Sequence, residues 1–254
     1  MKAIILGCGT SSGVPRIGGD WGACDPAEPR NARTRASIVI ASATTRILVD
    51  SSPDMRGQLL AADIADFDAV IWTHDHADHC HGIDDLRQIF HLRGGPVAGY
   101  ARRSTLDSLT QRFAYVFKGN KGYPATCSQH LLSDDQMIGD IAVAAIDMPH
   151  GPITAAGLRF EHKGKAIGYA TDFSVLDDDA IAFFSGLDVW IVDALREREH
   201  PTHPHLAMTL DAIARCKPRR AVLTHMDQSM DYATLCAGLP AGTVPGHDNM
   251  VIEA

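Results

Sequence analysis

The chain has 254 residues, 45% of them hydrophobic and 21% charged, which excludes a disordered, collagen-like or disulfide-stapled chain. A net charge of -8 excludes general attraction to nucleic acid or to an anionic membrane. No stretch approaches the ~20 apolar residues of a membrane-spanning helix, and a chain of this length needs no metal merely to fold.

Met1–Gly7 lacks the apolar run and cleavage site of a signal peptide, so the reading is of a cytoplasmic protein. Branched apolar residues predict a first strand at Lys2–Leu6, followed by a Gly-, Pro- and charge-rich loop over Gly13–Arg35. Strands at Ser37–Ala41 and Arg46–Val49 precede a helix at Asp54–Ala62, which Pro53 starts. A strand at Ala69–Thr73, a helix at Asp84–Leu92, a strand at Val97–Ala101 and a helix at Arg103–Arg112 follow. Phe117–Gln129 reads as a second long loop, carrying Lys118, Lys121 and Tyr123. Further strands are expected at Ile141–Ile146, Leu158–Glu161, Ala166–Ala170, Val189–Val192 and Ala221–Leu223. Helices are expected at Val175–Phe184, started by Ser174, and at Thr209–Cys216 and Asp231–Cys236. This order of elements suits sheets covered by helices.

None of the six cysteines forms a C-x-x-C pair, so free thiols are expected. Histidine, with 13 copies, is the informative residue. The segment Thr73-His74-Asp75-His76-Ala77-Asp78-His79 brings an H-x-H-x-D-H pattern to the end of an apolar run. Side chains alternate along a strand, so His74 and His76 share a face as it ends, while Asp78 and His79 enter from the turn beyond. Imidazole and carboxylate together suit zinc, manganese or iron. Three more candidates stand at strand ends downstream: His150 in Met148-Pro149-His150-Gly151, Asp172 in Tyr169-Ala170-Thr171-Asp172, and His225 in Leu223-Thr224-His225.

This ordered set resembles the metallo-β-lactamase superfamily of binuclear hydrolases, and the resemblance covers nearly the whole chain. It implies an α/β fold, a four-layer α/β/β/α sandwich, as one hydrolase domain over residues 1–254. It implies that His74, His76 and His150 hold one metal, that Asp78, His79 and His225 hold the other, and that Asp172 bridges them. Asp50, ending an early strand, would orient a histidine ligand. The opening Gly7-Cys8-Gly9-Thr10-Ser11-Ser12-Gly13-Val14-Pro15, the segment Arg30–Arg35 and Gly82–Arg87 are similar to PhnP-like phosphodiesterases. RNase Z and the quinone-cofactor accessory proteins lie near that subgroup. By the same resemblance, His203 takes the place of a histidine upstream of the last ligand. Relatives carry an extra structural zinc; here only Cys24 remains in the early loop and Gln228 stands where a histidine is expected, so that accessory zinc is expected to be absent.

The implied function is a phosphodiesterase for small or cyclic phosphodiesters, nucleotides included. It would use two Zn or Mn ions, a metal-bridging hydroxide, and His203 as general acid, with Asp78 also catalytic and His205 in reserve. No organic cofactor is expected. Arg87, Lys118, Lys121 and Tyr123 are candidates for substrate contact, each with a solvated-surface alternative, and Cys80 reads as packing. The alternatives are a thioesterase or lactone hydrolase with the same metal core, a nuclease, and a non-catalytic quinone-cofactor accessory or carrier protein. The expected partner is a small phosphodiester, with no membrane and no general nucleic-acid binding. Homodimers are common in the superfamily, but no stripe here identifies an interface.

Overall fold

The computed structural model describes residues 1–254. In chain order its strands are β1 (Lys2–Gly7), β2 (Ser37–Ala41), β3 (Arg46–Val49), β4 (Ala69–Trp72), β5 (Val97–Ala101), β6 (Cys127–Leu131), β7 (Asp135–Ile138), β8 (Ile141–His150), β9 (Ile153–His162), β10 (Lys165–Ala170), β11 (Val189–Asp193), β12 (Arg220–Thr224), β13 (Thr243–Pro245) and β14 (Met250–Glu253). The helices are α1 (Met55–Ala61), α2 (Ala77–Cys80), α3 (Leu86–Arg93), α4 (Arg103–Arg112), α5 (Ala114–Lys118), α6 (Asp178–Phe183), α7 (Leu206–Cys216) and α8 (Tyr232–Gly238). One sheet runs β14-β1-β2-β3-β4-β5-β6 and the other β13-β12-β11-β10-β9-β8-β7. In each sheet the strands from β3 to β6 or from β10 to β13 are parallel and the others antiparallel.

Period-two alternation explains the layering. All five residues of β2 are buried, because Ile38 and Ile40 enter one core and Val39 and Ala41 the other. The first core holds the inward faces of both sheets, including Ile5, Ile47, Ile71, Val143, Phe160 and Ile191, and continues to α6 and α7. The second packs Leu48, Val70 and Trp72 against Leu59 of α1, Leu86 of α3 and Leu109 of α4. The result is the expected α/β/β/α sandwich. No helix is long and apolar enough to cross a membrane.

The four strands that composition does not predict, β6, β7, β13 and β14, are the four sheet edges. Edge strands are short and bury little, so β6 (Cys-Ser-Gln-His-Leu) and β7 (Asp-Gln-Met-Ile) lack an apolar signature. β6 and α5 also trim the predicted Phe117–Gln129 loop at both ends. β8 extends through His150, which pairs with Ile153, so this histidine ends its strand rather than following it. Ser174 does not start a helix; α6 begins three residues beyond Val175, where the Asp177 side chain accepts from the Ala180 N–H at 2.9 Å.

Two buried polar groups tie the early loop down. The Arg33 guanidinium, 2% exposed, donates to the carbonyls of Met230 at 2.6 Å and Asp227 at 3.3 Å and to Asn31 Oδ1 at 3.2 Å. Its Nη1 lies 3.8 Å from Cys24 Sγ. Asp248 accepts from the Thr34 N–H and hydroxyl at 2.8 and 2.6 Å and from the Cys8 N–H at 3.2 Å. Burial outweighs these bonds and pushes the Asp248 carboxyl up to about 6. A carboxyl raised on folding contributes stability at low pH that is lost as pH rises from the ordinary value of ~4 through about 6. Relative to the parent, Asp248→Asn should therefore gain about 1–3 kcal/mol between pH 4 and pH 7, read by denaturant unfolding of both proteins at each pH.

Candidate metal centre

Three strand ends deliver site residues through the left-handed backbone region. Asp50 follows β3 with φ 63°, Asp172 follows β10 with φ 57°, and His225 follows β12 with φ 56°. This conformation costs a residue with a Cβ ~1–2 kcal/mol, and it turns each side chain off its strand toward one point. The Thr73–His79 segment reaches the same point from β4, with His76 at the start of α2 and Asp78 and His79 within it. The turn behind it closes because Gly82 has no side chain: a Cβ there would meet the Ser52 carbonyl oxygen at 2.1 Å.

His74, His76, His150 and Asp172 present ligand atoms within 4.8 Å of one another, and so do Asp78, His79 and His225. Asp172 stands between the two groups. Its Oδ1 faces His74 Nε2 at 3.9 Å and His150 Nε2 at 3.7 Å, while its Oδ2 faces His79 Nε2 at 3.2 Å and His225 Nε2 at 3.6 Å. Asp78 Oδ2 completes the second group, 3.4 Å from His79 Nε2 and 3.5 Å from His225 Nε2. His76 turns Nδ1 inward, 3.3 Å from His150 Nε2.

Outer hydrogen bonds select the tautomers. The Asp50 carboxylate accepts from His79 Nδ1 at 2.7 Å and from the Thr73 N–H at 2.8 Å. The Thr73 hydroxyl donates to Asp50 and accepts from His74 Nδ1 at 3.0 Å. The Thr202 carbonyl accepts from His150 Nδ1 at 3.0 Å. Each of these rings then aims an Nε2 lone pair into the centre. His74 Nε2 and His79 Nε2 are buried without any hydrogen-bond partner, an arrangement costly for a dry site and satisfied by a cation.

The electrostatics demand positive charge as well. Burial by itself would raise Asp172, but the His225 and His79 imidazoles hold its carboxyl well below the ordinary range. Burial would lower His79, yet the Asp172 and Asp78 carboxylates lift it well above the usual imidazole value. The same opposition, led by Asp172 and Asp193, carries His225 up to about 9. His74 and His150, whose desolvation dominates, are lowered. Buried carboxylates thus force protons onto two imidazoles, the work a divalent cation would do instead. Imidazole and carboxylate donors with orphaned lone pairs fit such a cation, and the cluster is a metal-binding site.

His203 is brought to the same place. Its ring stacks on His225 at 5.0 Å with planes 10° apart, and its Nδ1 lies 3.1 Å from Asp193 Oδ2. Asp193 ends β11, is wholly buried, and also accepts from the Asp172 N–H at 3.0 Å. Sequence reading passed over Asp193, although Val192-Asp193 repeats the pattern of an apolar strand ending in a carboxylate seen at Val49-Asp50. His205 is the N-cap of α7, and its side chain makes no capping hydrogen bond. Cys80 is buried behind the site, its thiol on the Asp75 carbonyl at 3.4 Å. Arg87 lies over the Tyr123 ring at 5.6 Å, and both line a separate 260 Å³ pocket with Tyr115 and Phe90. Lys118 and Lys121 are exposed.

Chelator treatment should lower the unfolding midpoint and added Zn or Mn restore it, a stabilisation of about 3–4 kcal/mol at 100 to 1,000 times the dissociation constant. Asp172→Ala should lose most of that metal-dependent shift in a thermal melt.

A family model described as a β-lactamase superfamily domain matches residues 45–226. The chain is 35% identical over 232 residues to an octanoyltransferase of Porphyromonas gingivalis; the match covers 89% of this chain but only 46% of that protein. The crystal structure of a diphosphatase from the PhnP family superposes with a TM-score of 0.90 at 31% identity, covering 100% of this chain and 97% of the other. Zinc-bound PqqB from Methylobacterium extorquens superposes with a TM-score of 0.77 at 19% identity over the full length of both, a likeness of fold. The matched core, the full-length superposition at 31% identity and the converging histidines and aspartates agree: the chain belongs to the metallo-β-lactamase superfamily, among its PhnP-like members.

Proposed function

We propose that this protein is a binuclear metal-dependent phosphodiesterase acting on small or cyclic phosphodiesters, nucleotides included. The observation that carries the reading is the Asp193–His203 pair beside the metal cluster. Nδ1–H of His203 donates to a buried carboxylate, so Nε2 is the atom free to hold a proton for a leaving oxygen. His203 is 14% exposed, so it is open to substrate yet held by its neighbours.

In this reading His74, His76 and His150 would hold one ion and Asp78, His79 and His225 the other, with Asp172 between the two groups. Divalent ions there supply Lewis acidity and acidify water. Asp78, with a side chain 12% exposed, is placed to accept a hydrogen bond from the attacking water. Asp50 keeps His79 in its ligating tautomer. His203 gives its proton to the departing alkoxide and recovers one from solvent, while Asp193 stabilises the imidazolium and fixes the ring. The diphosphatase relative supports phosphorus chemistry. Likeness to an octanoyltransferase favours acyl chemistry as the second reading, but the chain spans less than half of that protein. The cleft beside Asp78 is lined by Ser11, Ser12, Arg16 and Arg35 together with Ile17, Pro53 and Ala77, and its two guanidinium groups suit an anionic substrate.

A side-by-side assay with bis-p-nitrophenyl phosphate and an acyl thioester tests the class: hydrolysis of the thioester alone would overturn it. His203→Ala should lower turnover of a 2′,3′-cyclic nucleotide by about 10²–10⁴-fold while metal content stays at the parent level. The loss on bis-p-nitrophenyl phosphate, whose leaving group needs no proton, should be smaller. Asp193→Asn should act in the same direction with a smaller loss, because the His203 ring loses the carboxylate that orients it.

A further inference from the structure

A cavity of about 260 Å³ lies between α3, α5 and the segment that joins α5 to β6. None of its lining residues belongs to the metal cluster. Three aromatic rings line it: Phe90 of α3, Tyr115 of α5 and Tyr123 of the joining segment. Tyr115 is 47% exposed and Tyr123 68%, so both rings face solvent with no partner packed over them, although rings of this size usually bury most of their area.

The segment that carries Tyr123 is held in shape. Lys121 and Gly122 both have positive φ, 40° and 93°, and make a two-residue turn. Across that turn the Asn120 N–H donates to the Tyr123 carbonyl at 3.0 Å, and the Tyr123 N–H to the Asn120 carbonyl at 2.8 Å. The Gly119 and Thr126 N–H groups donate to the Tyr115 and Val116 carbonyls of α5 at 3.1 and 2.9 Å. Gly119 lets the arms meet, since a Cβ there would lie 2.4 Å from the Tyr123 carbonyl oxygen. Tyr123 is therefore an exposed ring on an anchored hairpin.

The polar lining complements the rings. The Arg87 guanidinium lies over the Tyr123 ring at 5.6 Å and has no carboxylate partner. The next four arginines along the chain, Arg93, Arg102, Arg103 and Arg112, each have one. A guanidinium placed over a ring can still offer its N–H edge to the oxygens of an anion. Asp84, the single carboxylate of the lining, and Asn120 supply acceptors for hydroxyl or amino groups. Lys121, exposed at the hairpin tip, adds positive charge beside Asn120.

Rings for stacking, an unpaired guanidinium for an anion and acceptors for hydroxyls together describe one kind of ligand. We propose that this cavity is a second ligand site, outside the metal centre, for a mononucleotide. The base stacks against Tyr115 and Tyr123, the sugar hydroxyls meet Asp84 and Asn120, and the phosphate takes Arg87. The volume is just under the ~300–1,000 Å³ usual for small-molecule pockets, so the base is enclosed and the phosphate stays at the mouth.

The test is photolabelling of the metal-loaded protein with 8-azido-AMP, with the labelled peptides mapped by mass spectrometry. Label should saturate on residues 115–126. AMP should compete for it about 10-fold or more better than adenosine or ribose 5-phosphate, each of which carries only part of the recognised chemistry. Arg87→Gln and Tyr123→Ala should each weaken labelling by about 10–100-fold. Both side chains are exposed, so these variants keep the fold. Removing the metal with a chelator should leave the label on residues 115–126 in place. Label confined to peptides of the metal centre, equal labelling of parent and both variants, or adenosine competing as well as AMP would overturn the second site. Labelling reads occupancy and not turnover, so its outcome is separate from that of the hydrolase reading.

Discussion

Everything in the centre turns on one buried carboxylate with a different set of imidazoles at each oxygen. Asp172 Oδ1 faces His74 and His150, and Oδ2 faces His79 and His225, so a single side chain joins the two ligand groups. An isolated carboxylate at this depth would take up a proton. The imidazoles instead keep it ionised, and it in turn raises His79 and His225. The two halves of the site are electrostatically coupled, because removing Asp172 takes the facing carboxylate from both groups of imidazoles and the largest counter-charge from His79 and His225.

Holding Asp172 is the work of a wider network. Its backbone N–H donates to Asp193, and the neighbouring Thr171 hydroxyl donates to its Oδ2. Asp193 also takes His203, so the carboxylate that supports the bridging residue also orients the proposed acid. Asp50 does the same on the other side, joining Thr73, His74 and His79 through one side chain. Three aspartates at three strand ends thus carry most of the positioning. The parallel strands β3, β10 and β11 deliver them to the same edge of the sandwich, as expected where ligands gather at the carboxyl ends of parallel strands.

The early loop joins this frame from outside the sheets. Arg33 binds it to the carbonyls of Asp227 and Met230, just past His225, and Asp248 binds Cys8 and Thr34. These ties hold the turn at Ser11 and Ser12 next to Asp78, where the cleft opens. The long Gly-, Pro- and charge-rich loop, of a length often put to functional use, is a wall of the cleft beside Asp78.

From the sequence alone the donor set was readable, and the resemblance it carried implied the sandwich. His74, His76, Asp78 and His79 lie within six residues, and His150, Asp172 and His225 each stand at the end of an apolar run, where a strand must deliver them. The interior strands were readable because burial on both faces makes them continuously apolar. The edge strands β6, β7, β13 and β14 were not, because their pairing comes from a neighbouring strand and leaves little mark on composition. Asp193 shares the strand-end pattern of Asp50, but its role needed coordinates, because only folding sets His203 3.1 Å from it. The tautomer-setting bonds of Thr73 and Thr202 and the cleft between Arg35 and Asp78 likewise join residues far apart in the chain. Sequence shows which donors are present; their distance and burial, which decide protonation and ligation, are properties of the packed structure.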